Sequence, residues 1–252
     1  MKTLDISSKD NPTFKKYKNL LTSKGIKEEK MFLLMGEKLI NDFLNLKNSA
    51  FRIKSVLTFE GKEFPIVQSQ IKLKKELFNE IDTLGTHYPI LVLEYQDFEA
   101  LSLKEIPSGL EIITPLGDPK NLGALARTAA AFGVSRLILT HDSCHPFLPH
   151  TIKASAGSIL NLEIRFTPFK MNQILITGEN FALDLKGQNL NQIKWPKNLR
   201  LLIGEEGPGI ELTPDQLKKV KLVNIPTSKN VESLNAAVSA ALAIWEWSKQ
   251  QT

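Results

Sequence analysis

The chain has 252 residues, 42% of them hydrophobic and 23% charged, with a formal net charge of +5 and an isoelectric point near 9.1. This is the make-up of an ordinary globular protein, long enough for one large domain or two smaller ones, and its basic balance suits a polyanionic partner without requiring one. A single cysteine, Cys144, excludes a disulfide framework. The segment MKTLDISSKDNP lacks the apolar core of a signal peptide, and no apolar run reaches the length of a membrane span, so a cytoplasmic setting without membrane contact is expected.

In chain order, PTFKKYKNLLTSKG (12–25) reads as a basic helix with Phe14, Tyr17, Leu20 and Leu21 on one face and Gly25 as its stop. Lys15, Lys16 and Lys18 fall on the other side, where a solvated face is favoured over a phosphate contact. GEKLINDFLNL (36–46) is a second helix candidate, while FRIKSVLTF (51–59) and PILVLEY (89–95) have the composition of strands. Together they suggest a small α/β unit, separated by the turn-rich SLKEIPSG (102–109) from the remainder of the chain.

Beyond it, strand candidates alternate with helix candidates: LEIITPL (110–116), SRLILTH (135–141), LEIRFT (162–167), QILITG (173–178), LRLLIG (199–204) and VKLVNIP (220–226). Short apolar strands in such alternation predict a largely parallel sheet covered on both faces, with ligands bound beyond the carboxyl ends of its strands.

Three loops at that edge hold the candidate chemistry. In GDPKNLGALARTAAAFGV (117–134), Asp118 can cap, Pro119 fits the first turn and Gly133 can end the helix. Arg127 is the one cation in an otherwise small, apolar helix; it either snorkels to the surface or offers its guanidinium fork to a phosphate. In LLIGEEGPGI (201–210) three glycines allow close backbone approach, and the order G-x-x-G-x-G is neither a dinucleotide fingerprint nor a P-loop. TPDQ (213–216) then reads as a capping box. In IPTSKNVESLN (225–235) either Ser233 or Asn230 can cap the last helix, which would bury Leu234, Ala237, Val238, Ala241, Leu242 and Trp245. Asn235, one turn into that helix, and Asn121 on the first loop have no structural duty left. No G-x-S-x-G elbow occurs, and Cys144 with His141, His145 and His150 makes too weak a ligand set for metal. A site of glycines, amides, one arginine and carboxylates positions substrates, which suits a reaction whose reactivity sits in a cofactor.

D-P-x-N-x-G-A-x-x-R-T-A-A-A-F-G (118–133), I-G-x-E-G-x-G (203–209) and I-P-x-x-x-x-V-E-S-L-N (225–235) resemble, in this order, the three motifs of the SpoU-type (TrmH-like) RNA ribose 2'-O-methyltransferases of the SPOUT class. KASAGS (153–158) resembles a further family segment, and LLTSKG…FLLMGEKLI resembles the ribosomal-protein-like RNA-binding domain that many members carry in front. The resemblance implies an α/β protein: a small RNA substrate-binding domain over residues 1–105, then a catalytic SPOUT domain over 106–252 with a mostly parallel sheet and a trefoil knot. It implies S-adenosylmethionine as methyl donor, ribosomal or transfer RNA as substrate, no metal, and a homodimer whose active sites draw on both subunits. Cofactor positions fall on Gly204, Ile225 and Leu234, and catalytic or substrate positions on Asn121, Arg127, Glu206, Ser233 and Asn235. Arg127 would hold a phosphate and stabilise a developing alkoxide, with Glu206 or the RNA phosphate as alternative proton acceptors.

Several letters depart from the pattern. Thr227 and Lys229 replace the usual Met and Gly, Lys153 a common Arg, Lys120 a frequent Gly, and Met35 a position often held by Glu. A non-catalytic RNA-binding or ribosome-assembly factor on the same fold is the alternative reading.

Overall fold

The computed structural model describes residues 2–45, 50–62, 64, 69–101, 103–205, 207, 209–228, 230 and 233–251. The elements run β1 (Lys2–Ile6), α1 (Pro12–Asn19), α2 (Ser23–Glu29), β2 (Met31–Leu34), α3 (Glu37–Asn45), β3 (Phe51–Phe59), β4 (Ser69–Leu73), α4 (Lys75–Ile81) and β5 (Ile90–Tyr95). They continue with β6 (Leu110–Thr114), α5 (Pro119–Ala131), β7 (Arg136–Leu139), α6 (Pro149–Ala154), β8 (Ile164–Phe166), β9 (Asn180–Asn189), β10 (Leu199–Leu202), α7 (Pro214–Leu217), β11 (Lys221–Asn224) and α8 (Ala236–Lys249). They form two compact units, residues 1–97 with 145–157, and residues 98–144 with 158–252.

The first unit is a five-stranded mixed sheet in the order β1-β4-β3-β5-β2. β4 runs parallel to β1 and β3, and β5 antiparallel to β3 and β2. The expected single basic helix is two. Asn11 caps α1 through Thr13 N–H at 2.8 Å, α1 ends at Asn19, and Thr22 caps α2 through Gly25 N–H at 3.0 Å. Gly25 does not stop a helix but lies inside α2. A Cβ there would sit 2.1 Å from the Asn19 carbonyl oxygen, so the glycine lets the chain fold back on itself. Lys15, Lys16 and Lys18 pair with Asp10, Glu29 and Glu80 at 3.0, 2.7 and 2.6 Å, which is the solvated, ion-paired face. β2 escapes a reading by alternation because all four of its residues are buried.

Residues 145–157 pack in this unit, with α6 against β2. His145 is buried and accepts Phe147 N–H at Nδ1 (3.1 Å), so Nε2 carries the proton and meets the Tyr95 hydroxyl at 3.0 Å. Burial, aided by the charges of Lys27 and Lys30, pushes its pKa down to about 3.

The second unit is a six-stranded sheet in the order β11-β9-β10-β6-β7-β8, with every pairing parallel. The expected strand over QILITG (173–178) is absent. Ile174 and Ile176 instead enter the core as irregular chain, and Gln216 Nε2 donates to the Met171 and Ile174 carbonyls at 3.0 and 2.9 Å. A side-chain amide thus replaces a strand ladder in satisfying buried carbonyls. Thr213 and Gln216 do form the capping box that opens α7.

At the amino ends of the strands lies a buried charge network. Arg200 and Glu111 are each 1% exposed and bond at 2.8 Å. Arg136 takes the other Glu111 oxygen at 2.8 Å, and Arg200 also donates to the Glu105 carbonyl (2.8 Å) and to Thr177 Oγ1 (3.0 Å). The network satisfies its charges and pins residues 103–105 beneath the sheet. It leaves the opposite, carboxyl edge free for chemistry.

Candidate functional site

Beyond β6, Asp118 caps α5 through Lys120 and Asn121 N–H groups at 2.8 and 2.9 Å, Pro119 takes the first helical position, and Gly133 follows the helix at φ +66°. Beyond β10 the glycine-rich turn closes on itself: Glu205 and Gly209 exchange backbone hydrogen bonds at 3.1 and 3.2 Å. A Cβ on Gly204 would sit 2.3 Å from the Gly209 carbonyl, so the crossing of two backbones there admits only glycine. Glu205 Oε1 accepts Gly117 N–H at 3.1 Å and ties this turn to the start of the first loop.

Beyond β11, the loop ends at Asn235, and the helix cap differs from expectation. Asn235 itself, not Ser233 or Asn230, caps α8, its Oδ1 accepting Ala237 and Val238 N–H groups at 3.0 and 3.2 Å. Its amide nitrogen points elsewhere: Nδ2 donates to Asn121 Oδ1 at 2.9 Å, joining the first and third loops. The buried face of α8 is also rotated from expectation. Ala236, Ala240, Ala243, Ile244 and Trp247 are buried with Ala237, while Val238, Leu242 and Trp245 are 49%, 38% and 48% exposed. Small alanines let the helix lie close with Ile244 and Trp247 beneath it, and Val238, Leu242 and Trp245 face outward.

The second and third of these loops line a cleft of about 680 Å³, to which the first is joined through Asn121 and Gly117. Gly204, Ile225, Ser233, Leu234 and Asn235 all line it, and Asn121 is bonded to its rim through Asn235. Arg127 does not line it. It is exposed further along α5 and makes no ion pair among the described residues. Glu206 and Lys229 lie outside the described residues, whereas Thr227, the other unusual letter of the third loop, lines the cleft. Of the histidine-rich stretch, His141 is exposed and faces Asp142 at 3.2 Å; among the described residues no cluster of His, Cys, Asp or Glu is arranged to hold a metal.

One wall lies outside the three motifs. Leu183, Asp184, Leu185 and Lys186, from the middle of β9, line the cleft. β11 pairs Leu222 with Ala182 but the very next residue, Val223, with Gln188, so residues 183–187 leave the ladder as a bulge. The available signal in the sequence is Gly187 inside a strand. A Cβ there would meet Val223 nitrogen at 2.3 Å, so the chain returns to the sheet only with glycine.

The arrangement fits a bound nucleoside-sized group: a concave wall shared between leucines and isoleucines on one part and convergent polar groups on the other, with a glycine backbone that can approach closely. Against known proteins, residues 112–245 match the SpoU rRNA Methylase family. The chain is 33% identical to ribosomal RNA small subunit methyltransferase G 2 of Syntrophobacter fumaroxidans over 97% of its length, and spans about half (49%) of that relative. It is 26% identical to the 23S rRNA (guanosine(2553)-2'-O)-methyltransferase RlmP of Bacillus subtilis, over 95% of this chain and 97% of that one. The fold superposes on the SpoU methyltransferase AviRb from Streptomyces viridochromogenes, solved with the cofactor AdoMet, with a TM-score of 0.78 at 20% identity, covering 96% of this chain and 98% of the other. The matched span takes in more than half of the chain, both loops that line the cleft and the first loop bonded to its rim, and the chain belongs to the SpoU rRNA methylase family.

Proposed function

We propose that the chain transfers a methyl group from S-adenosylmethionine to a ribose 2'-hydroxyl in ribosomal or transfer RNA. The observation that carries this reading is the cleft itself: the three motif loops meet at one sheet edge, and an Asn121–Asn235 hydrogen bond of 2.9 Å fastens two of them at its rim. When bound, the cofactor supplies an electrophilic methyl group on a sulfonium. The chain's own residues supply position. Gly204, Ile225 and Leu234 hold the cofactor, largely by backbone and apolar surface, and Ser233, Asn235 and Asn121 orient the incoming ribose. Such groups have little acid or base strength, so their contribution is geometric. The Arg127 guanidinium, which only donates hydrogen bonds, binds the neighbouring phosphate and stabilises the developing alkoxide, and Glu206 or that phosphate takes the proton. The 2'-hydroxyl as acceptor makes RNA, not DNA, the substrate.

The exposed position of Arg127 supports a homodimer in which its guanidinium serves the cleft of a second copy. The exposed apolar side of α8, where Trp245 packs edge-on against Phe132 at 5.5 Å, supports the same reading. On this reading residues 1–105 bind the RNA substrate, and residues 106–252 form the catalytic domain with its carboxyl end threaded as a trefoil knot. The protein works in the cytoplasm and without metal.

The test is transfer of tritium from S-adenosyl-[methyl-³H]methionine to undermethylated total RNA. Label resistant to alkaline cleavage of the adjoining phosphodiester is the expected outcome. RNA that binds but gains no label would instead support a non-catalytic assembly factor.

A further inference from the structure

The β9 bulge belongs to none of the three sequence motifs, yet it places consecutive residues in the cleft. It is a built feature. Lys186 N–H donates to Asp184 Oδ1 at 2.8 Å, and Asn224 Nδ2 from β11 donates to the Leu185 carbonyl, so the excursion is held at its tip and at its side. Gly187 then brings the chain back against the β11 backbone. Leu185 is left 64% exposed, an apolar side chain held up beside the cleft by hydrogen bonds on either side.

Two carboxylates line the cleft among the described residues, and they are not equivalent. Glu205 spends Oε1 on Gly117 N–H. Asp184 uses Oδ1 only for its own turn, and Oδ2 has no partner among the described residues. Asp184 stands between Leu183 and Leu185, which with Ile203, Ile225 and Leu234 form the apolar part of the wall. A flat purine belongs on such a wall, and its ribose is the group attached to it. The methyl-bearing end must face the polar rim at Asn121 and Asn235, where the second substrate is oriented.

Resting on the proposed cofactor, we propose that Asp184 is the carboxylate that recognises the cofactor's ribose diol, with Leu185 covering its base. A carboxylate accepts hydrogen bonds from both vicinal hydroxyls and rejects a sugar lacking one, because its charge is then left unpaired. Asp184 is thus a specificity residue of the cofactor site.

Calorimetric titrations of wild type and Asp184→Asn with S-adenosylhomocysteine, 5'-methylthioadenosine and 2'-deoxy-5'-methylthioadenosine test this. Asp184→Asn is expected to weaken the first two ligands alike, by roughly 10-fold or more, the scale of a hydrogen bond to a charged group. It should weaken the deoxy ligand, which keeps only one of the two hydroxyls, distinctly less. Three results overturn the proposal: unchanged binding of all ligands, weakening of S-adenosylhomocysteine alone, which would put the carboxylate on the amino-acid ammonium, or equal weakening of all three, which would make the effect structural. Asp184→Ser, which keeps an oxygen acceptor for Lys186 N–H, provides a second variant if Asp184→Asn loses its fold. A wild type that binds none of the ligands overturns the cofactor reading as well, whereas tight wild-type binding with an indifferent variant overturns only the role of Asp184.

Discussion

Asn235 carries two duties in one side chain, and they can be separated. Its oxygen caps α8 and its nitrogen reaches Asn121. Asn235→Asp keeps the acceptor and loses the donor, so it should melt close to wild type while methyl transfer falls at least roughly 10-fold, the scale of one hydrogen bond. Asn235→Ala should lose transfer and also about 1 kcal/mol of stability, the usual worth of such a cap. Melting curves and transfer assays on both variants decide it, and full transfer by Asn235→Asp would remove the amide from the mechanism. The sequence singles out Asn235 for a partly wrong reason: it looks free of structural duty only if the helix starts earlier than it does. A second residue-scale prediction concerns His145. Its folded pKa is about 3 against 6.5 in the unfolded chain, so below pH 6.5 the unfolded state takes up a proton that the folded state refuses. Stability therefore falls as pH drops from about 6.5 towards 3. His145→Gln should flatten that part of the urea-midpoint profile, and a profile as steep as the wild type's would show that other groups carry it.

At the scale of elements, α5 and the strands β6, β7, β8, β10 and β11 are legible in the sequence because caps and short apolar runs are local signals, whereas β9 is not among the expected strands. QILITG and the β9 bulge are not legible. The first has strand composition, but Gln216, distant in the chain, satisfies the carbonyls of Ile174 and of the preceding Met171 from outside any ladder. The second is defined by which residues of β9 the partner strand β11 skips, a register fact no single segment contains. The burial of α8 is hidden for a related reason. Helical spacing picks out an apolar stripe but cannot say whether the chain's own sheet or another surface covers it, and here alanines face inward while Val238, Leu242 and Trp245 look out. If that outward face is the dimer interface, Leu242→Glu with Trp245→Glu should convert dimer to monomer in sedimentation velocity while leaving the circular dichroism spectrum unchanged. An unaltered dimer would place the interface elsewhere.

For the whole molecule, the Arg200–Glu111 network secures the amino ends of the strands and the motif loops occupy the carboxyl ends, so stability and chemistry sit at opposite edges of one sheet. Fold class and the three motif loops can be read from sequence. In the proposed dimer Arg127 serves a second copy, because it shares a motif set with Asn235 yet lies outside its own chain's cleft. Arg127→Ala and Asn235→Ala homodimers should each be inactive, whereas heterodimers of the two should regain activity at one of their two clefts, since that cleft then receives both intact groups. Mixtures as inactive as the parents would place Arg127 in its own subunit's site. Whether the protein methylates RNA riboses at all is read most directly from a map of 2'-O-methylation across total RNA from cells with and without this gene. One or a few ribose positions should lose methylation on deletion, regain it with the wild-type gene and stay unmodified with Arg127→Ala; identical maps from the two strains would contradict methyl transfer as the function.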